Sequence, residues 1–493
     1  MVVRPRGIEA QPASAPDKLR WHTLLSRSMS VLALARGERR LEAATYLSEG
    51  HSIRQGFVGD GGKFGWQKLG QLARVWQPSR LKGIVVDRDF GAPFLAATQV
   101  YDARPVPRKW LSLERTDDAE ARFVTRGMIL VTCSGSVGRA TLAYAAHDKI
   151  LISHDLLRVS PNDESRAGRL YAFLRSPQGR AMMSGEQYVH IIQHLEPEHL
   201  NNVPVPDVSD AQARDFLKQT MEILDHRNSA YQRLVEAEAL YAKAIGPVAR
   251  DEKAEQGFSV SIHAFSRGRR RFEANYHSPR AAAILKQLRS VGLKVQSLAQ
   301  VTDGVWWMNR FKRNYGPSGI PYLSADELFM VNSEEQKRII VADDDNHEQY
   351  FVEPGWLLMA CSGQIYGLNG AVCLATEAHK DTFFSHDLIR IRAKPGGPRA
   401  GYLATALSHP SLGRPLLIRE AYGTSIPHLD PADVASFPLV RLRPKLEEEI
   451  ADLAEAAAAE RGKANVKERK LAKDAGTIVD DFLTRTGVTA VAV

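Results

Sequence analysis

Two hydrophobic textures alternate along this chain. From 36 to 207 and again from 265 to 440, apolar residues come in short runs, such as Ile84-Val-Val86, Phe94-Leu95 and Met128-Ile-Leu-Val131, punctuated by Gly and Pro. Such runs predict mixed strands with few long helices; one helix is expected over Arg169 to Met183, ending near Gly185. Ser209 to Ile245, by contrast, holds neither Gly nor Pro. Its Leu217, Leu224, Tyr231, Leu234, Tyr241 and Ile245 make a nearly heptad stripe. Ser209 with Gln212 three residues on is a capping-box start, and Gly246-Pro247 is a stop. Pro444 to about Thr484 repeats the texture: Ile450, Ala457, Ala464, Leu471 and Ile478 stand seven apart, with polar Glu460, Lys467 and Asp474 between them. A long helix with one narrow apolar stripe wants a partner helix of similar length, and each of these is the other's obvious candidate. Packing of each on its own globular region is the alternative.

The two strand-rich regions are copies. Gly127-Met-Ile-Leu-Val-Thr-Cys-Ser-Gly-Ser-Val-Gly-Arg139 returns as Gly355-Trp-Leu-Leu-Met-Ala-Cys-Ser-Gly-Gln-Ile-Tyr-Gly367, with Cys133 and Cys361 228 positions apart. Upstream, Ser28–Val31 matches Ser259–Ile262, Arg36–Ala43 matches Arg267–Ala274, and Tyr46 or Tyr276 follows. Downstream, Ile152-Ser-His-Asp-Leu-Leu-Arg-Val159 matches Phe384-Ser-His-Asp-Leu-Ile-Arg-Ile391, and Tyr188–Leu195 matches Tyr422–Leu429. Landmarks in one order with slowly drifting offset mean duplication of a whole domain; solenoid periods are only about 20–50 residues. The expected fold class is α+β: two tandem mixed α/β globules separated by two long helices in an antiparallel coiled coil. The divisions are 1–35 (leader and cap), 36–208, a helix at 209–250, a linker at 251–264, 265–440, a helix at 441–486 and a tail at 487–493.

Composition adds a bias. A net charge of +8 and a pI near 9.2 lean toward a polyanionic partner. Cys133, Cys361 and Cys373 are odd in number and lack metal-ligand spacing, so buried thiols in a reducing cytoplasm are expected. No apolar run nears the roughly 18 residues that span a bilayer. Phosphate-binding, zinc-protease, nucleophile-elbow and base-clamping motifs are missing from the sequence. Ser153-His154-Asp155 and Ser385-His386-Asp387 are sequence neighbours, and relays are assembled from distant positions, so a repeated polar turn is expected. Asp343-Asp-Asp345 reads as a solvated loop.

These residues resemble the DNA-specificity subunit of type I restriction–modification systems. The strand–turn at Gly127–Gly138 and Gly355–Gly367, the Ser153–Val159 and Ser385–Ile391 elements, the Gly423–Leu429 loop and the proline-rich exits Val203-Pro-Val-Pro206 and Phe437-Pro-Leu-Val440 carry the likeness. Val189–Leu195 departs from the loop pattern. The resemblance implies a non-catalytic subunit, itself without cofactor, whose halves each read one part of a bipartite asymmetric site on double-stranded DNA. The helix pair would fix the gap. Two DNA methyltransferase subunits binding S-adenosylmethionine would dock on it, and a translocating restriction subunit can join them. The competing readings are a subunit of another phage-defence complex, a nuclease or methyltransferase with an unrecognised site, and a protein scaffold.

The side chains expected to face DNA are cations and planar groups on loops. Asp303 to Tyr315 supplies Trp306, Trp307, Asn309, Arg310, Lys312, Arg313 and Tyr315. An aromatic core strand followed by a solvated basic loop is the alternative. The expected first-half counterparts are Lys63, Lys68, Arg74, Arg80 and Lys82, around Trp66. The small-residue turns add Ser134, Ser136, Arg139, Gln364 and Tyr366; the downstream loops add His190, Gln193 and His194, and Thr424, Ser425 and His428.

Overall fold

The apolar runs form the middle strands of two matching sheets. In the computed structural model, which describes residues 43–59, 65–185, 194–250, 257–266, 270–291, 294–332, 337–341 and 347–486, the first sheet has the order Ala73–Trp76, Leu156–Pro161, Ile129–Thr132, Ala140–Leu142. The second has the order Thr302–Trp306, Leu388–Ala393, Leu357–Ala360, Val372–Leu374. Every pairing is antiparallel, and the registers coincide: Ile129 faces Val159 and Thr132 faces Leu156, as Leu357 faces Ile391 and Ala360 faces Leu388. Successive side chains leave opposite faces of a strand. Ile129 and Val131 therefore enter one core while Leu130 enters another, and Leu357 and Met359 part from Leu358 and Ala360 in the same way.

A smaller sheet lies beside each. In the first half it holds Val85–Val86, Lys109–Leu111, Ala92–Leu95 and Leu151–Ile152; in the second, Arg338–Ile339, Tyr315–Leu323 and Phe383–Phe384. A strand pair clasps the start of each half to its proline-rich exit. Trp66–Lys68 runs against Pro204–Pro206, and Val295–Ser297 against Pro438–Val440. Just beyond each pair the Leu69 N–H donates to the Val203 carbonyl and the Leu298 N–H to the Phe437 carbonyl, both at 2.9 Å.

From these exits start the long helices, Asp210–Ile245 and Pro444–Thr486. Ser209 and Gln212 close the capping box, the Ser209 N–H donating to Gln212 Oε1 at 3.0 Å, and Gly246 ends the first helix at φ 78°. Glu222 meets Lys467 and His226 meets Glu460, so one helix rises as the other falls. Each core borrows from both. Phe216 and Ile223 join Leu471, Ala475 and Val479 in the first-half core; Tyr241 and Ile245 join Ile450 and Ala454 in the second. Along the second helix Ile450, Ala457, Ala464 and Leu471 are buried, but by Ile478 the interior has moved to Ala475 and Val479. A 3.6-residue turn drifts against a seven-residue repeat in that sense.

Three expectations are corrected. The halves are not held wholly apart: Ala103 N–H donates to Phe329 O and Val331 N–H to Tyr101 O, each at 2.8 Å, and Asn332 Nδ2 donates to Ala140 O at 2.7 Å. Tyr144 and Ala146 of one half and Val331 of the other bury together on Leu224 of the first helix, so the apolar contact closes over the helix midsection. The helix expected over Arg169 to Met183 is two, Ala167–Arg175 and Pro177–Ser184. Pro177 lacks the N–H a continuing helix needs, and Ser176 Oγ instead accepts the Gly179 N–H at 3.0 Å. Finally, the partner of Gly138 is Gly370 rather than Gly367. Both have positive φ, 80° and 73°, and each donates to the carbonyl at the end of its strand, Thr132 at 3.0 Å and Ala360 at 2.9 Å. The second turn is longer. The leader, the stretches 36–42 and 267–269, and Asp343–Asp345 lie outside the described residues.

Candidate nucleic-acid interface

Antiparallel pairing places three motifs at one edge of each large sheet. Strands Ala73–Trp76 and Ile129–Thr132 finish where the strand between them, Leu156–Pro161, starts. The loop after Trp76, the Cys133-Ser134-Gly135 turn and the Ser153-His154-Asp155 turn therefore converge; in the second half the loop after Trp306, the Cys361 turn and the Ser385 turn do the same. The hydrogen bonds repeat as well. Cys133 N–H donates to Asp155 O and Cys361 N–H to Asp387 O, both at 3.3 Å; Leu195 N–H donates to Cys133 O at 2.9 Å and Leu429 N–H to Cys361 O at 2.8 Å. The last pair brings a fourth element, the end of the downstream loop, with backbone bridges Ser134–His194 and Ser362–His428.

The Ser-His-Asp runs are turns. Asp155 N–H donates to Ser153 Oγ at 3.2 Å and Asp387 N–H to Ser385 Oγ at 3.1 Å, while each Ser hydroxyl donates to its own Asp. Burial lowers the pKa of His154 and His386, and burial pushes the Cys133 thiol up to about 12. A thiol that far above neutrality is not a nucleophile. Among the described residues no group of three or more His, Cys, Asp or Glu could hold a metal ion, and no helix is long and apolar enough to cross a membrane.

Counting from the paired tryptophans, Trp76 opposite Arg158 and Trp306 opposite Arg390, the loops match at an offset of 230. Arg80 then corresponds to Arg310 and Lys82 to Lys312. All four are exposed, and no side chain of the four has an ion pair or hydrogen bond among the described residues. Between each pair an apolar residue turns inward as an anchor. Leu81 packs on Phe94, Leu111 and Leu151; Phe311 lies edge-on to Tyr350, Phe383 and His386, with ring centroids 4.9, 5.0 and 5.1 Å away. An inward anchor flanked by outward cations is what keeps both charges in solvent. Arg313 braces the second loop, donating to Asp387 Oδ2 at 2.8 Å and Ser385 Oγ at 3.3 Å. The first loop is braced from beneath by buried Arg122, which donates to Ser79 O at 2.9 Å.

Under each edge lies a buried arginine that sequence reasoning missed. Arg158 and Arg390 are fully buried and donate to strand and turn carbonyls, among them Ser153 O at 2.9 Å and Leu388 O at 3.2 Å. Burial lowers each pKa to about 10, still far above neutral pH, so both stay charged. No carboxylate of the described residues pairs with either, so each adds positive potential to the edge. The recurring Arg of the Leu-Leu-Arg-Val and Leu-Ile-Arg-Ile strings was the available signal.

The remaining candidates divide. Asn309 and Tyr315 are exposed, and Trp307 is 44% exposed. Trp306 is half-buried, edge-on to Trp356 at 5.2 Å. Arg74 is exposed and covers the Trp76 ring at 5.0 Å. Thr424 and Ser425 are exposed, and Ser425 O accepts from Gln364 Nε2 at 3.0 Å. His428 Nδ1 is 2.8 Å from Ser362 Oγ. Ser136 is exposed, and Ser134 Oγ donates to Asp155 at 3.4 Å.

Four of the candidates make contacts within the chain away from the cation pairs. Arg139 is folded into the contact between halves, 4.4 Å over the Tyr101 ring with a bond to Asn332 O at 3.4 Å. Tyr366 stacks toward Arg108 of the other half at 5.7 Å, and with Gln364 it lines a cavity of about 520 Å³ between the halves. Lys68 lies on the clasp strand, bonded to Asn202 at 3.0 Å. Trp66 is half-buried on that strand against Phe57. Lys63, His190 and Gln193 lie outside the described residues.

No family model and no curated protein matches the chain. Among solved structures it is similar to the type I restriction–modification S subunit from M. genitalium, at 12% identity and a TM-score of 0.28, covering 86% of this chain and 96% of that one. The HsdS subunit from Thermoanaerobacter tengcongensis gives 14%, 0.25, 85% and 96%. The type IIG restriction endonuclease BpuSI gives 13% and 0.26, over 35% of this chain and 28% of that one. At TM-scores no higher than 0.28 these likenesses say nothing of what the chain binds.

Proposed function

We propose that the chain is a sequence-specific DNA-recognition subunit, each half laying its loop edge on one part of a bipartite asymmetric site. The observation that carries this is the pair of unpartnered cations Arg80/Lys82 recurring as Arg310/Lys312 at one strand register. Cations held in solvent over a buried charge suit phosphate, which positions a protein on the duplex, while neighbouring planar groups specify bases. Side chains around the two cation pairs differ, Gln77 facing Trp307 and Gly83 facing Arg313 in the alignment. Two like frames with unlike surfaces suit two unlike half-sites.

The antiparallel helices act as the ruler between them, as dimer geometry sets half-site spacing in other DNA readers. The chain is a non-catalytic guide for partner methyltransferase subunits, two in number and carrying the S-adenosylmethionine, and for a restriction subunit where one is present. Selection from a pool of randomised duplexes, with the chain and its methyltransferase partner, tests this. Enrichment of two unlike short sequences at a fixed gap, with affinity falling steeply as salt rises, is the expected result. Enrichment of nothing, or salt-indifferent binding, contradicts the reading.

A further inference from the structure

The second half carries a feature that the first lacks. Trp306, Trp307, Met308, Asn309, Gln349 and Trp356 line an open hollow of about 420 Å³, within the size range of small-ligand sites. Trp306 meets Trp356 edge-to-face, their planes 75° apart, and the Arg392 guanidinium lies over the Trp356 ring at 6.0 Å. Gly304 keeps room beside Trp306, since a Cβ there would come within 3.0 Å of the indole. At corresponding positions of the first half the space is filled. Arg74 replaces Gly304 and covers Trp76, Met128 replaces Trp356, and Gln77 replaces Trp307 and bonds inward to His154 O at 2.8 Å.

Trp307 stands open beside the half-buried Trp306 and Trp356, and Phe311 already anchors the loop, so the three indoles offer a face to an aromatic occupant. Asn309, exposed beside them, adds a carboxamide, a group that reads the edges of bases. Arg310 and Lys312, next along the loop, are cations for the phosphates of the same strand.

We propose that this hollow seats one unstacked nucleobase of the bound DNA, in the second half only. The proposal rests on the DNA-recognition reading and deepens it. Aromatic platforms hold single-stranded bases because every base has a π-face, whatever its sequence. Pyrimidine–purine steps unstack most easily, so such a step is expected in the second half-site.

The test is indole fluorescence of the full chain titrated with single-stranded hexathymidylate, beside duplex binding of the same preparations. Saturable quenching by the oligonucleotide is expected. Trp307→Ala should weaken it about tenfold and Trp307→Phe much less, while both variants keep the thermal unfolding midpoint of the unaltered chain. Trp307 is exposed, so neither substitution threatens folding. Normal duplex binding without quenching, or quenching that Trp307→Ala leaves unchanged, overturns the base seat and points to a protein side chain as occupant. Loss of duplex binding by the unaltered chain would overturn the DNA reading itself, independently of the hollow.

Discussion

The two halves share a skeleton and differ in what they hang on it. Register, turn hydrogen bonds, buried arginine and cation pair recur. The anchor beneath the loop is aliphatic in the first half, Leu81 on Phe94 and Leu151, and aromatic in the second, Phe311 on Tyr350 and Phe383. A loop supported from below by one inward side chain can change its outward residues without disturbing the sheet. The difference teaches that duplication preserved the means of presenting a surface and released the surface itself.

The halves also meet the helix pair differently. In the first, Glu468 is buried and shared by Tyr171, Arg175 and Arg227, with Arg175 Nε at 3.1 Å. In the second, Arg399 reaches Glu448 at 2.8 Å, as well as Asp452 and Glu455, all at the surface. Replacing one partner of a buried pair strands the rest. Glu468→Ala should therefore cost about 3–5 kcal/mol in denaturant unfolding, and Glu455→Ala no more than about 1 kcal/mol. Equal losses would erase this contrast.

Removing the cations tests what the halves share. The double variants Arg80→Ala/Lys82→Ala and Arg310→Ala/Lys312→Ala should each lower the slope of log affinity against log salt by about 2, roughly one for each phosphate no longer neutralised. Each should leave assembly with partners intact. A change confined to one variant would mean that the halves bind unlike chemistry. The smallest effect is expected at the covered tryptophan. Arg74→Ala should cost about 0.5–1 kcal/mol, the worth of an exposed cation–π contact, read from thermal unfolding, and should give the first half part of the openness that Gly304 gives the second.

Much of this frame was legible before folding. Cys133 and Cys361, the Ser209/Gln212 cap and the Ile450-to-Leu471 stripe are local or periodic signals, and such signals survive in one dimension. The pairing of the loops was legible in principle too, through Arg80 and Arg310, but Trp66 competes with Trp76 as the landmark, and only strand register separates them. Arg139 was not legible, because its partners Met330 and Asn332 lie 191 and 193 residues away. Nor was Glu468, which in sequence is one more polar residue of a charged helix and in the structure is a buried junction. Charge in a sequence reads as surface, and only tertiary partners reveal the exceptions.

Under the proposed function, two unlike readers sit at a fixed separation on one pair of helices. Methylome sequencing is the decisive experiment, in cells expressing this chain with the proposed methyltransferase partner, comparing the intact chain with one shortened by a heptad in both Asp210–Ile245 and Pro444–Thr486. The expected result is a modified motif of two unlike parts, absent without the chain, whose gap changes on shortening while both parts stay the same. A motif that persists without the chain, or a gap indifferent to helix length, would contradict it.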